Sequence, residues 1–459
     1  MMNRIDDVLK KCKGRCDYLE ARIEEGEGTS IVLRGRAVDT VRESLSLGGC
    51  VRAYHRGGVG FASFNNLALL PAFAEKAIEQ AALVGSGKTR LAEAPAVKAD
   101  VKARPKKDPR EVPLREKIAL LQGYNERILS FDPRIPTSGI SYGDGFRKIY
   151  YGNSEGTRLS SEKLDIGCNV AAIAVDRGQT QFGSVGAGSC DDFACLLGLE
   201  EELERECRAA VDLLDAPPVK GGAYTAVLDP HLAGVFAHEA FGHMSEGEKT
   251  AFNPAMAEIM KIGKAFGSPL LTIYDSGLMP GTRGWIPYDE EGVASRRTDL
   301  IRDGILVGRL HSRETAGRMG EAATGSARAL NHQFPPVPRM RSTCIEAGTS
   351  SFEELIASID LGIYAVKAMG GQAGEMFTFT PARSYMIRKG KIEEMVKGAI
   401  LSGNLFTTLK NIDGVGNDFL LRDAGGGCGK GTPEGFQFPL PVSHGAPHIR
   451  IRDVVIGGR

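Results

Sequence analysis

The segment HLAGVFAHEAFGHMSEGE, residues 231–248, sets the organisation of the second half of this chain. It follows Asp229-Pro230, where the aspartate suits the N-cap of a helix and the proline suits the first helical turn. The apolar side chains predict a core helix over residues 229–246. Two histidines and a glutamate inside this apolar run are unusual, because a buried polar side chain is costly without a partner.

His238 and His243 flank Glu239 within this helix. Neutral imidazoles are common zinc ligands, and an adjacent glutamate suits a general base acting on zinc-bound water. The familiar zinc-hydrolase motif is H-E-x-x-H, whereas these histidines are five residues apart. Five steps of ~100° rotate by ~140° on an ideal helix, so the rings would diverge. The spacing therefore predicts a local distortion, either a π-turn or a break at Gly242.

Further donors favour a metal site over a core helix with two buried histidines. Zinc hydrolases use three protein ligands and leave one position open. The third candidate is Cys428, in the glycine-rich sequence RDAGGGCGKG, which we expect to form a flexible loop. A metal would hold its thiol as the thiolate. Glu246, three residues after His243, is predicted to orient that imidazole.

The rest of the chain predicts an α+β protein of two domains with mostly antiparallel sheets, with the H-E-x-x-x-H helix at the start of the second domain. We expect an N-terminal domain over residues 1–220 and a C-terminal domain over residues 221–459. Residues 85–112 are polar and rich in lysine and proline, which predicts an exposed connection. Helical spacing is predicted at residues 3–15, 67–84, 114–129, 191–214, 352–361 and about 395–411.

Composition excludes several classes of function. The 459 residues include 57 basic and 57 acidic side chains, and a neutral chain is a poor sequence-independent nucleic-acid binder. No apolar run approaches the ~20 residues that span a bilayer. The N-terminal sequence shows no apolar secretory signal, so we expect a cytoplasmic protein. Its nine widely spaced cysteines predict no disulfide framework.

Two weaker motifs do not support a function. Residues 85–89, GSGKT, resemble the end of a phosphate-binding loop. The full pattern needs a glycine where Ala82 stands, and the segment follows a helix instead of a strand. Cys12 and Cys16 are four residues apart on a predicted helix, but no second pair of ligands lies nearby in the sequence.

The H-E-x-x-x-H helix and the Cys428 segment, with the sequence between them, resemble the TldD/PmbA family of metalloproteases. The resemblance covers almost all of residues 222–459. The intact H-E-x-x-x-H motif resembles that of the TldD-type subunit, and the PmbA/TldE-type partner typically lacks this motif. The matching segments are HEAFGHMSEGE (238–248), LIRDGILVGRLHSRETA (300–316), GSARA (325–329), PPVPRMRSTCIEAG (335–348), LGIYAVKAMGGQAGEMFTFTP (361–381), CGK (428–430) and PVSHGAP (441–447).

The resemblance implies a two-domain protein that dimerises around a central cavity. His238, His243 and Cys428 would hold Zn²⁺, and Glu239 would be the base. The implied substrates are short or unfolded peptides. The implied partner is a second copy or a PmbA/TldE-type subunit, with no direct nucleic-acid or membrane contact.

Two other functions stay open at this point. One is a non-catalytic peptide-binding subunit that acts with a TldD/PmbA-type partner. The other is a zinc hydrolase of a non-peptide bond, such as an amidase, because the metal chemistry is shared. His311, His332 and Tyr288 are candidates to assist the metal in holding the oxyanion.

Overall fold

The computed structural model describes residues 1–372, 374–423 and 425–457. Within that part of the chain, no helix has the length and apolar character needed to cross a membrane. Ten α-helices are described, and their bounds are α1 (Met2–Lys11), α2 (Leu70–Val84), α3 (Leu114–Phe131), α4 (Glu200–Asp215), α5 (Pro230–Phe236), α6 (Glu248–Ala251), α7 (Pro254–Ile259), α8 (Arg313–Met319), α9 (Phe352–Ala357) and α10 (Leu405–Lys410).

The strands of the first half are β1 (Tyr18–Arg34), β2 (Ala37–His55), β3 (Gly58–Phe64), β4 (Lys98–Val101), β5 (Thr137–Asn153), β6 (Arg158–Asp176) and β7 (Gln179–Ser189). Those of the second half are β8 (Gly222–Leu228), β9 (Ile273–Ser276), β10 (Arg297–Arg302), β11 (Ile305–Leu306), β12 (Ala327–Arg328), β13 (Val337–Pro338), β14 (Ser342–Ile345), β15 (Leu361–Gln372), β16 (Met376–Arg388), β17 (Lys391–Val396), β18 (Ile400–Asn404), β19 (Ile412–Val415), β20 (Leu420–Arg422), β21 (Cys428–Thr432), β22 (Gly435–Leu440), β23 (Ser443–Ala446) and β24 (Ile449–Gly457).

The first half is a single sheet covered by helices. Its strand order is β3-β2-β1-β5-β6-β4, with β7 paired to β6. Helices α1 and α2 bury Ile5, Ile23 and Val51 at one end, and α3 and α4 bury Leu121 and Val170 at the other. The periodic apolar residues of the helices and the alternation along the strands meet in these two cores.

The second half has two large sheets with the histidine-bearing segment between them. One sheet runs β15-β8-β24-β18-β16-β17, with β19 beside β24, and β15 also pairs with β16. The other runs β11-β10-β9-β14-β23-β20. Phe236 and Phe241 from the segment between them pack on Phe377, Phe379 and Phe266. This shared core fixes the segment in place.

The structure confirms the predicted α+β class with mostly antiparallel sheets. Three pairs of strands are parallel, β4 with β6, β8 with β15 and β14 with β23. The predicted boundary near residue 220 lies between α4 and β8, and β4 lies within the segment 85–112 that was predicted as a connection.

Some helix predictions were wrong at their ends. The helix predicted over residues 395–411 is only α10, because residues 400–402 pair with β24 as part of β18 and Gly398 adopts a positive φ of 75°. The helix predicted over 352–361 stops at Ala357, and residue 361 begins β15. Short apolar runs do not distinguish a strand from a helix.

Candidate metal centre

The segment that carries both histidines changes its winding in the middle. Asp229 caps α5, and its Oδ1 accepts a hydrogen bond from the Leu232 amide at 2.8 Å. The chain then forms a π-helix over Ala237–Gly242 and a 3₁₀ turn over His243–Ser245. The predicted distortion is therefore confirmed, and of its two possible forms the chain adopts the π-turn. A π-turn aligns residues i and i+5, so both imidazoles lie on one side of the segment.

The two imidazole rings lie close together at the centre in an edge-to-face arrangement. The centroids of His238 and His243 are 5.2 Å apart, with their planes at 85°. Gly242, between them, is pressed against the buried side chain of Met340, and a Cβ added there would overlap its sulfur. The glycine therefore allows the widened turn to approach the neighbouring sheet closely.

Cys428 comes to this centre from near the far end of the chain. Its Sγ lies 3.3 Å from Nε2 of His243. The ligand atoms of His238, His243 and Cys428 all lie within 4.8 Å of one another. The expectation of a loop was wrong, because Cys428 begins β21, which pairs with β22. Gly429 leaves the space that the ring of Phe436 fills, so the glycines serve strand packing.

These three side chains fit a zinc ion. Two imidazoles and a thiol form a donor set typical of zinc, with room for a fourth ligand. Nδ1 of His238 is buried and has no hydrogen-bond partner among the described residues. Burial and the neighbouring rings of His444 and His243 hold the pKa of His238 well below its usual range, which leaves the neutral imidazole that a metal requires.

Glu239 stands at the exposed side of the centre. Its Oε2 is 3.8 Å from Nε2 of His243, and its side chain is 34% exposed. Burial raises the pKa of the Glu239 carboxyl, while the nearby His243 partly opposes this rise. A carboxylate with a raised pKa holds a proton more readily, as a group that accepts and returns one must.

Glu246 is fully buried behind His243. Its Oε2 lies 3.2 Å from Nδ1 of His243, within reach of the hydrogen bond predicted from the sequence. Burial opposes both charges, yet Lys430 and His243 lower the pKa of Glu246 to about 2. Burial also acts to lower the pKa of His243, but Glu246 and Cys428 raise it to about 10. At this pKa both ring nitrogens of His243 carry a proton. Nδ1–H faces the carboxylate of Glu246, and a metal at Nε2, beside Cys428, would displace the other proton.

Two polar neighbours of the centre were not assigned a role from the sequence. Nζ of Lys430 donates to Glu246 and to the carbonyl of Pro338, each at 2.9 Å, and it also contacts Glu248. Lys430 lies two residues after Cys428 in β21, with an irregularity of the strand pairing between them, and both side chains reach the histidine segment. The Cys-Gly-Lys spacing is the sequence signal that could have indicated Lys430. The ring of His444 lies 4.7 Å from that of His238, and burial lowers the pKa of His444 to about 3.

The three candidates for oxyanion assistance are not part of the cluster of candidate metal ligands. His311 bonds with Thr315 at 2.9 Å and with Glu321 at 3.0 Å, so both ring nitrogens are occupied. His332 lies 2.8 Å from Asn65. Tyr288 lies in a turn bridged to Ala294. The structure does not bring either histidine to the three candidate ligands.

Comparisons with known proteins agree across the whole chain. Residues 221–458 match the PmbA/TldA metallopeptidase C-terminal domain. The central domain of the same description matches residues 107–214, and its domain 1 matches residues 19–83. These matches place the chain in a class of proteins described as metallopeptidases.

Individual relatives are similar over most of their length. A Synechocystis protein named metalloprotease slr0863 is 42% identical over 456 residues, covering 99% of this chain and 97% of that protein. A Saccharolobus solfataricus protein named zinc metalloprotease TldD homolog is 28% identical, covering 75% of this chain and 76% of that one. The crystal structure of TldE from Thermococcus kodakarensis has the same fold, with a TM-score of 0.79 at 18% identity over 99% of this chain and all of that one.

The chain therefore belongs to the PmbA/TldD family of metallopeptidases.

Proposed function

We propose that this protein is a zinc-dependent metallopeptidase that hydrolyses short or unfolded peptides. His238, His243 and Cys428 hold the metal, Glu239 is the general base, and Glu246 orients His243. The proposal rests on one observation above all. Ligand atoms from residues 185 positions apart in sequence, His243 and Cys428, lie 3.3 Å apart beside a second buried imidazole.

The chemistry assigned to the chain's own residues is proton transfer and positioning. A bound zinc ion supplies a Lewis acid and lowers the pKa of water at the site. Glu239 takes a proton from the attacking water as its oxygen bonds to the peptide carbonyl carbon. When the carbon–nitrogen bond breaks, Glu239 returns the proton to the amine. The products are a carboxylic acid and an amine.

The ion pair behind the site keeps the ligands oriented. Lys430 balances the charge of Glu246, so the carboxylate can accept the Nδ1–H of His243 inside the core. A buried carboxylate without such a partner would take up a proton and lose that role. The charge balance thus favours one tautomer and one orientation of the ring.

The proposed setting follows the family. We propose a cytoplasmic enzyme that works as a homodimer or with a TldE-type partner. The solved TldE structure has this fold, which supports a related subunit as the partner. An extended peptide offers a free backbone, whereas a folded protein does not present one to a recessed site.

The test is to substitute the base while preserving the ligands. Glu239→Gln should keep about one zinc per chain by elemental analysis and lose peptide hydrolysis by a factor of about 10² or more. Cys428→Ser should lose both zinc and hydrolysis. The matched control is Glu258→Gln, an exposed glutamate on α7, which should change neither.

Two outcomes would contradict the proposal. Full activity in Glu239→Gln removes that residue from the chemistry. Zinc binding and peptide binding without any hydrolysis by the natural chain, tested alone and with a TldE-type partner, favour the peptide-binding subunit instead.

A further inference from the structure

An apolar cavity opens beside the candidate metal centre. Its volume is about 400 Å³, within the range of small-molecule pockets. Most of its wall is apolar, and the apolar side chains are Met244, Phe252, Met256, Ile259 and Phe406. Glu248, Lys249, Asn253 and Glu375 form the polar part of the wall.

The cavity borders the segments that carry the proposed reactive centre. Met244, in its wall, directly follows His243 in the chain. Glu248, also in its wall, contacts Lys430, the partner of Glu246. A group in the cavity therefore lies near the residues that surround the candidate ligands.

Large apolar side chains of this wall remain uncovered. Phe252 is 55% exposed and Ile259 is 40% exposed. Behind them, Met256 and Phe406 pack against the main core of the second half, so the floor is held by the fold. Burying such a surface against an apolar group is favourable. The charged side chains of the wall, Glu248, Lys249 and Glu375, carry both signs, so they do not select a single charge.

We infer that this cavity is a specificity pocket that receives one aromatic or large aliphatic side chain of the peptide, adjacent to the bond that is cleaved. The inference rests on the proposed peptidase function and names the kind of substrate it prefers. Contacts to the peptide backbone are the same for every sequence, so an apolar pocket for one side chain would set the preference. Methionine in the wall adapts to side chains of different shape.

The experiment uses decapeptides of alanine and serine that carry a single phenylalanine, leucine, lysine or glycine at each position in turn. The cut sites are read by mass spectrometry. The natural zinc-loaded protein should cleave next to phenylalanine or leucine at least about tenfold faster than next to glycine. Ile259→Glu should lower that preference about tenfold and raise cleavage next to lysine, because it replaces an apolar side chain of the wall with a further carboxylate.

The matched control is Leu270→Glu. Leu270 is 55% exposed and lies outside the cavity wall, so this variant should keep the preference of the natural protein. Circular dichroism and zinc content confirm that both variants fold. Equal cleavage next to glycine and phenylalanine by the natural protein would overturn the inference, as would an equal loss of preference in Leu270→Glu.

A binding measurement separates this inference from the catalytic proposal. Fluorescence anisotropy with labelled phenylalanine and glycine peptides is measured on zinc-loaded Glu239→Gln, with and without Ile259→Glu. A tenfold tighter binding of the phenylalanine peptide that Ile259→Glu removes supports the pocket even where no hydrolysis occurs. Equal affinity for the two peptides contradicts the pocket even where hydrolysis is found.

Discussion

Two charged residues behind the centre, Glu246 and Lys430, come from different parts of the chain and balance each other. Glu246 comes from the turn after the π-helix and Lys430 from β21, and the two meet inside the core with Nζ and Oε2 at 2.9 Å. The same carboxylate reaches His243 at 3.2 Å. Neither charge would be stable there alone, because an isolated ion in the interior costs several kcal/mol. The pair therefore ties the hairpin of Cys428 to the histidine segment before any metal binds.

The half-buried side chain of Asp423 makes the stability of the protein depend on pH. Burial raises its pKa to about 6, although hydrogen bonds from Ser443 and from the Arg283 amide act in the opposite direction. The folded state thus binds this proton more tightly than the unfolded state does. The resulting stability is present at low pH and is lost as pH rises through about 6.

Asp423→Asn should remove this dependence, because its side chain is neutral throughout. Between pH 5 and 7.5, the free energy of unfolding of the natural protein should fall by about 1 kcal/mol relative to the variant. Urea unfolding at each pH measures the difference, with the exposed Asp39→Asn as a control that should follow the natural protein. A constant difference between natural protein and Asp423→Asn would contradict the assignment.

The element that shapes the site is the π-helix, and its need could be derived from the sequence. The five-residue spacing of the histidines does not fit an ideal helix, so the sequence alone requires a distortion. The sequence left two forms of it open, a π-turn or a break at Gly242. The choice depends on packing, since Gly242 is pressed against the fully buried Met340, which lies 98 positions later in the chain. Such a contact has no local sequence signal.

Gly242→Ala should therefore disturb both stability and metal binding. The new methyl group overlaps Met340 in a filled core, and overpacking of this kind costs about 1–3 kcal/mol. The displaced turn should also lower the affinity of the chain for zinc. Chemical unfolding and zinc competition titration measure the two effects, and Met340→Ala in the same chain should restore part of both by opening space.

A matched helical glycine makes this prediction specific. Gly123 in α3 has no atom within 4 Å of an added Cβ, so Gly123→Ala should leave zinc binding unchanged and add about 0.5–1 kcal/mol of stability. If Gly242→Ala were as stable as Gly123→Ala, the close packing of the π-turn would not constrain the site.

Across the whole molecule, buried ion pairs join the two halves of the chain. Glu206 on α4 binds Lys367 at 2.9 Å and Arg383 at 2.8 Å, both in the second half. Arg52 on β2 pairs with Glu20 and with Glu291, and all three side chains are at most 6% exposed.

The sequence could indicate the candidate metal ligands, because few residue types bind zinc. It could not indicate these pairs, because 57 basic and 57 acidic residues allow very many combinations.

Arg52→Met tests how strongly these contacts stabilise the whole protein. Removing the guanidinium leaves Glu20 and Glu291 buried and uncompensated, which should cost about 3–5 kcal/mol in the free energy of unfolding. Because Arg52 bridges the two halves, both should lose stability together in a single urea transition, followed by circular dichroism and by fluorescence of Trp285. Arg42→Met is the control, since Arg42 lies on the same strand but is exposed, and it should cost less than about 0.5 kcal/mol. A similar small loss in both variants would mean that the halves are held together by apolar packing instead of by these buried charges.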